Sequence, residues 1–315
     1  MVLQVVGRSS LYLFGLASHT DICLGACLAA PIESLPIRAV AQLGSALVWG
    51  TRGRGFKSRQ PDQFAEAFSE CEREKSSMKI EGSVVLVTGA NRGLGAEYVR
   101  QLLDRGAAKV YAGARQIESV TNSGAIPIAL DVTSASDIGA AVAACGDLTM
   151  LINNAGVVIG GRIMADDALE NAKAEFETNV WGPLNLSKSF APVLAANGGG
   201  AIVNVLSAVS WMSIKDVATY AMSKSAAWSL TNGLRLELAR QGTLVVAVHP
   251  AFIDTDMAAG VDMPKTSPFQ VVERTLNGVE EGLPEVLADD TSAFVKNSLP
   301  KHIETFYPKV AAPRP

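Results

Sequence analysis

From residue 79 onward the chain alternates two kinds of segment. Short continuous apolar runs, rich in β-branched residues, end at glycine or polar turns. Between them, apolar positions recur at helical spacing. Residues 83–88 (Ser-Val-Val-Leu-Val-Thr) predict a buried strand. Leu94, Tyr98 and Leu102 predict a helix over 93–105, stopped at Arg105-Gly106. Further strands are expected at 109–114, 125–130, 148–153, 200–206 and 243–248, with a short one near 285–288. Further helices are expected at 134–145, 168–196, 217–240 and 268–281. Only a short helix fits between the second and third strands. The strands read as unbroken apolar runs, which suits a parallel sheet covered on both faces. The alternation predicts an α/β fold with a doubly wound parallel sheet and right-handed crossovers. Ligands then bind beyond the carboxyl ends of the strands. One domain over 78–298 is expected, after an N-terminal extension (1–77) and before a tail (299–315), with no repeat of fixed period.

Charge narrows the function classes. The 315 residues carry 27 Lys plus Arg against 31 Asp plus Glu, a net −4. A nucleic-acid binder needs many phosphate-neutralising cations, so that class is disfavoured. The chain is 48% hydrophobic, with a mean hydropathy of +0.22, which raises the question of a membrane span. The run 9–32 is interrupted by His19, Thr20 and Asp21, and 189–214 by Asn197-Gly-Gly-Gly200. Neither offers the roughly 20 apolar residues a spanning helix needs, so no membrane span is expected. Four cysteines make no disulfide framework.

The extension differs from the rest. Up to residue 59 it holds Arg8, Arg38, Arg52, Arg54, Lys57 and Arg59 against Asp21 and Glu33, and 50–61 has no apolar period. Cys23 and Cys27 lack the further ligands of a zinc site, and no metal site is expected. The extension only partly resembles a mitochondrial transit peptide. Residues 41–63 resemble a mistranslated transfer-RNA gene, and Met78 directly precedes the first strand segment. The favoured reading is an upstream artefact with translation starting at Met78. A cytoplasmic location follows, or a mitochondrial one if 1–59 is a true transit segment.

The turn after the first strand is Thr88-Gly89-Ala90-Asn91-Arg92-Gly93-Leu94-Gly95. It follows a strand and opens a helix, the context that gives a glycine pattern meaning. Gly89 permits a tight turn, Gly93 lets a pyrophosphate approach the backbone, and Gly95 lets helix and strand pack closely. The helix N-terminus offers free N–H groups and partial positive charge to phosphate. Tyr220 and Lys224 are i and i+4 and so share one helix face. A tyrosine with a pKa near 10 is a poor acid or base at neutral pH. A nearby ammonium favours its phenolate and brings it toward the working range. Alone, the pair would be an ordinary surface contact.

Together these motifs resemble the short-chain dehydrogenase/reductase (SDR) family, over about 79–298. The carriers are Thr-Gly-x3-Gly-x-Gly, Asn153-Asn154-Ala155-Gly156 after the fourth strand, Tyr220-x3-Lys224, Ser207 thirteen residues before Tyr220, and Asn179 in Thr178-Asn179-Val180. The resemblance implies a Rossmann fold and a catalytic set of Ser207, Tyr220, Lys224 and Asn179. Ser207 would bond the substrate oxygen and Tyr220 would exchange its proton. Lys224 would also bind the nicotinamide ribose, and Asn179 would hold a relay water. Ser210, Ser213 and Ser223 compete with Ser207, which spacing favours.

The implied cofactor site comprises Gly89, Asn91, Arg92, Gly93, Leu94, Gly95, Arg115, Asp131, Val132, Asn154, Ala155, Gly156, Tyr220, Lys224 and Thr255. An NAD site usually carries an acid on the ribose about 20 residues on. The second strand instead ends Gly113-Ala114-Arg115. Arg115 and Arg92 suit a 2′-phosphate, so NADP is favoured over NAD. Asp131 resembles the family aspartate that meets adenine. In His249-Pro250-Ala251, alanine replaces the family's glycine, and His249 reads as a loop residue. Val157, Val158, Ile159, Trp211, Met212, Phe252 and Met257 suggest an apolar lining for a carbonyl or alcohol substrate. A homodimer or homotetramer is expected. The alternative function is a non-catalytic NAD(P)-binding sensor or scaffold.

Overall fold

The computed structural model describes residues 77–301 and 303–307. The readings attached to the extension, with Cys23, Cys27 and Cys71, lie outside the described residues.

Seven parallel strands form one sheet in the order β3-β2-β1-β4-β5-β6-β7. They are β1 Val84–Thr88, β2 Lys109–Ala114, β3 Ile126–Ala129, β4 Met150–Asn153, β5 Ala201–Val205, β6 Leu244–His249 and β7 Glu285–Leu287. The helices are α1 Gly93–Asp104, α2 Ala135–Ala144, α3 Ala168–Phe176, α4 Gly182–Ala196, α5 Ala218–Leu238, α6 Pro268–Glu280 and α7 Asp290–Ser298. The central strands are buried on both faces, as their unbroken apolar runs predict. On one face Tyr98, Val99 and Leu102 of α1 pack with Val271, Val272, Leu276 and Val279 of α6 against Val85, Val87 and Val246. The Tyr98 hydroxyl lies 3.1 Å from Thr275 Oγ1 and ties the two helices. On the other face Ile138, Leu186, Phe190, Leu194, Leu234 and Leu238 pack against Leu86, Leu151 and Ile202. Strand order reverses between β1 and β4, and this switch point opens a crevice beyond the strand ends.

Three elements depart from the sequence pattern. Strand β3 lies at the sheet edge, so Ile126 is exposed despite its apolar run. Pro127 fits there because an edge strand need not donate on its open side. The helix expected over 168–196 is broken by a π-turn, Glu177–Trp181, between α3 and α4. Such turns carry an extra residue per turn and often occur at functional sites. Helix α7 has no counterpart in the sequence reading. Its cap is Asp289, whose Oδ1 accepts from Ser292 N at 2.7 Å. Among the described residues no helix is long and apolar enough to cross a membrane.

Candidate active site

The crevice side of the sheet holds the ends of β1, β4, β5 and β6. At β1 the glycine turn is folded onto the end of β4. Gly89 adopts φ +62° and Gly93 φ +52°, the left-handed region that glycine enters freely. A Cβ at Gly95 would stand 2.0 Å from the Gly89 carbonyl oxygen, so no side chain fits. The Thr88 hydroxyl accepts from Asn154 N (3.0 Å) and Ala155 N (2.9 Å). Asn154 Nδ2 donates to the carbonyls of Thr88 (2.8 Å) and Gly89 (3.2 Å). Thr255 closes on the turn: its methyl group lies 3.4 Å from where a Gly93 Cβ would be.

The proposed cations at this end are lightly held. Arg115 is exposed at the end of β2. Arg92 pairs with Asp256 at 3.1 Å, with both side chains largely in solvent. Asp131 Oδ1 accepts from the backbone N (2.9 Å) and Oγ1 (2.7 Å) of Thr133. Val132 is buried against Gly182, where a Cβ would meet its methyl group at 3.0 Å. Leu94 is largely buried, while Asn91 is half-buried.

At the β5 end, Ser207, Tyr220, Lys224 and Asn179 converge. Ser207 and Tyr220 share a side-chain hydrogen bond. Lys224 is buried, and its Nζ donates to the Val205 carbonyl at 2.8 Å and sits 5.7 Å from the centre of the Tyr220 ring. Asn179, projected by the π-turn, donates to the Val157 carbonyl (2.9 Å) and Ser223 Oγ (3.0 Å), and its Oδ1 accepts from Val157 N (2.9 Å). A cavity large enough for about one water molecule is lined by Asn179, Lys224, Asn153, Asn204 and Ala155.

Burial governs the titrations. It pushes the Lys224 ammonium down to about 8. It also raises the Tyr220 phenol above its ordinary value; the Ser207 hydrogen bond opposes this and the Glu175 charge reinforces it. The sequence expectation, a phenol lowered by Lys224, is therefore reversed in this state. Desolvation is the largest influence on the half-buried phenol, while Lys224 Nζ donates to Val205 and stands 5.7 Å from the ring centre.

A family model for the short chain dehydrogenases matches residues 83–265. The chain belongs to this family. A short chain dehydrogenase from Burkholderia cenocepacia J2315, solved in complex with NADP, is 37% identical; it superimposes with a TM-score of 0.71 over 75% of this chain and 100% of that one. The 3-oxoacyl-[acyl-carrier-protein] reductase FabG of Vibrio cholerae is 33% identical over 199 residues, 59% of this chain and 79% of that protein. An uncharacterized oxidoreductase of Staphylococcus epidermidis is 30% identical over 193 residues, 58% and 84% of the two chains.

Within this short-chain dehydrogenase, Ser223 and Ser210 take supporting places at the site, and Glu175 is a side chain the sequence did not point out. Ser223 is not a substitute for Ser207. It is buried, accepts from Asn179 and donates to the Tyr220 carbonyl at 2.7 Å, so it links the two. Glu175 is fully buried, and its Oε1 accepts from the backbone N–H groups of Ile159 and Gly160 at 2.9 Å each. Its position four residues before Asn179 was the available signal. Ser210 Oγ accepts from Ser207 N at 3.3 Å.

One reading is corrected. His249 is the buried last residue of β6, not a loop residue, because its ring fills space behind Ser207. Trp211 stacks on that ring, with centroids 3.8 Å apart and planes 20° apart. Trp211 and Met212 also line a cavity of about 300 Å3 with Ala218, Ala221, Met222 and Ser225. At 3.6 residues per turn, those α5 positions lie away from the Tyr220 and Lys224 flank.

Proposed function

We propose that this oxidoreductase uses NADPH to reduce a carbonyl to a secondary alcohol, or runs the reverse reaction. The convergence of Ser207, Tyr220, Lys224 and Asn179 beside the glycine turn carries the reading. The residues present fit a dinucleotide. Gly93 and Gly95 leave the helix N-terminus bare, and a Cβ at Gly156 would lie 3.2 Å from Asn179 Oδ1 and 3.7 Å from Lys224 Nζ, so glycine keeps open the floor beside the buried ammonium. Thr88, Gly89 and Asn91 to Gly95 would hold the pyrophosphate. Asp131, Val132, Asn154, Ala155 and Gly156 would flank the adenosine and ribose, Thr255 the nicotinamide, and Arg115 with Arg92 a 2′-phosphate. NADPH would supply the hydride.

The chain's own residues handle the proton. Ser207 Oγ donates to the substrate oxygen and holds it near the phenol. The Tyr220 hydroxyl gives its proton to that oxygen as an alkoxide develops. A phenol kept above its ordinary pKa by burial arrives protonated, as an acid must. The Lys224 ammonium stabilises the phenolate left behind. Asn179, clamped to both backbone groups of Val157, borders the water-sized cavity through which a proton returns. Val157, Val158 and Ile159 give the substrate an apolar wall. The NADP complex of the Burkholderia relative supports the cofactor assignment. Self-association as a homodimer or homotetramer is proposed through α3, α4 and α5.

The test is a fluorescence titration of the full chain with NADPH and NADH in parallel, followed by a small panel of activated ketones. Tyr220→Phe is expected to lower turnover by roughly 10²–10⁴-fold, the usual contribution of a general acid, while leaving NADPH affinity nearly unchanged. Equal turnover in the variant would refute the assignment of Tyr220.

A further inference from the structure

His249 occupies the space behind Ser207, against Ser207, Trp211 and Glu285. Its Nδ1 lies 3.0 Å from the Ser207 carbonyl oxygen, deep in the interior. A carbonyl only accepts, so Nδ1 carries the hydrogen. Nε2 stands 3.6 Å from Glu285 Oε1 on β7, beyond hydrogen-bond reach. The Trp211 indole stacks on the imidazole face. The Lys296 ammonium of α7 lies 4.7 Å from the centre of the Trp211 ring and 2.9 Å from Glu285. Ring and ammonium thus both lie against the indole, and both lie near Glu285.

Ser207 is held on both sides of its backbone. Its N–H donates to Ser210 and its carbonyl accepts from His249. Its hydroxyl is left to Tyr220 and to Val209 N, which donates to it at 3.3 Å. The carbonyl also accepts from Ser210 N at 3.0 Å, so removing the imidazole donor would leave it one of its two bonds and loosen the Ser207 peptide.

We propose that His249 is a positioning residue: its Nδ1–H holds the Ser207 carbonyl so that the Ser207 hydroxyl faces Tyr220, with Trp211 and Lys296 bracing the ring. The inference rests on the reading of Ser207 and Tyr220 above. The protonation it requires agrees with the surroundings. Burial holds the imidazole at about 4, with Lys296 and Lys224 also lowering it while the Ser207 carbonyl and Glu285 oppose. The ring is therefore neutral, with a single proton, across the neutral range.

Two readouts test it. In a full chain carrying His19→Gln and His302→Gln, His249 is the sole remaining histidine. Its imidazole 15N shifts are expected to report the Nδ1–H tautomer without titration from pH 5 to 8. An Nε2–H tautomer, or titration near 6.5, would overturn the inference without any change at His249 itself. The second readout is NADPH oxidation with 1-phenyl-1,2-propanedione as the carbonyl probe. His249→Leu is expected to lower kcat about tenfold, the effect of losing one buried hydrogen bond, with the KM for NADPH within about twofold. His249→Asn, whose Nδ2 can take the place of Nδ1, is expected to restore most of that loss; equal loss in Asn and Leu variants indicates a packing role and overturns it. Wild-type activity abolished by Tyr220→Phe but unchanged in His249→Leu sinks this inference alone. No dependence of turnover on Tyr220, or no turnover with NADPH bound, sinks the underlying reading and the inference with it.

Discussion

At the β1 end of the sheet the site is made of backbone; at the β5 and β6 ends it is made of buried side chains. The glycine turn is shaped by positive φ angles and by the absence of Cβ atoms, and its proposed cations, Arg92 and Arg115, stand in solvent. Around Ser207 the polar groups are enclosed and cross-linked: Lys224 to Val205, Asn179 to Ser223, and His249 to Ser207. The difference follows from the tasks. A phosphate needs N–H groups and mobile cations at a surface it can enter and leave. A proton donor needs a low-dielectric setting in which neighbours shift its pKa. Substitutions at the first end should therefore act on affinity, and those at the second on pH dependence and turnover.

The sharpest break on the backbone side is Gly95→Ala. The added Cβ meets the Gly89 carbonyl at 2.0 Å, and main chain cannot yield as a side chain can. Overpacking of this kind costs roughly 1–3 kcal/mol or more. NADPH affinity is expected to fall by about 10- to 100-fold, with a lower melting temperature. A titration within twofold of wild type would show that the turn tolerates the methyl group.

On the side-chain side the corresponding signature is pH-dependent stability. His249 titrates at about 4 in the folded chain against an ordinary 6.5. Between these values the unfolded chain binds the extra proton, so stability rises with pH through this window and is lost on acidification. Lys224, at about 8 against 10.5, gives the same sign between pH 8 and 10.5. Thermal melts of wild type should fall more steeply from pH 6.5 to 4 than those of His249→Asn. Likewise, Lys224→Met should remove part of the rise above pH 8. Parallel curves would mean that these rings and ammonium groups are solvated.

The same contrast explains what could be read from the sequence. The glycine turn is contiguous, so Gly89, Gly93 and Gly95 announce their backbone role directly. Unbroken apolar runs identify β1, β4, β5 and β6, and five ordered motifs point to the family. The break inside 168–196 was hidden because α3 and α4 keep helical composition on both sides of it. Only Asn179, matched by resemblance, marked the place. His249 and Ser207 are 42 residues apart, and no local pattern announces that bond. The direction of the Tyr220 shift was missed for a related reason. Spacing brings Lys224 near Tyr220, but it does not reveal how much water the fold removes around the phenol.

Glu175→Gln sharpens the side-chain half. The amide oxygen can still accept from Ile159 and Gly160, while the negative charge that raises the Tyr220 pKa disappears. The pH–rate profile should move toward lower pH, with little change in melting temperature. An unmoved profile accompanied by a large stability loss would make Glu175 a loop anchor alone.

The smallest effects belong to the exposed cations. Arg115 stands in solvent at the end of β2, whereas Arg92 must leave Asp256 to meet a phosphate. An exposed pair holds only weakly, so the release is a small penalty rather than a barrier. Arg115→Ser is expected to lower the preference for NADPH over NADH by about tenfold, the effect of one charge-assisted hydrogen bond. Arg92→Ser should lower it by about threefold, since part of that contact is offset by the broken pair. Parallel titrations of both variants with the two cofactors measure this directly. The reverse ranking would place the 2′-phosphate over the glycine turn rather than at the end of β2. An unchanged ratio in both variants would mean that neither cation reads the phosphate, leaving backbone N–H groups to bind the two cofactors alike.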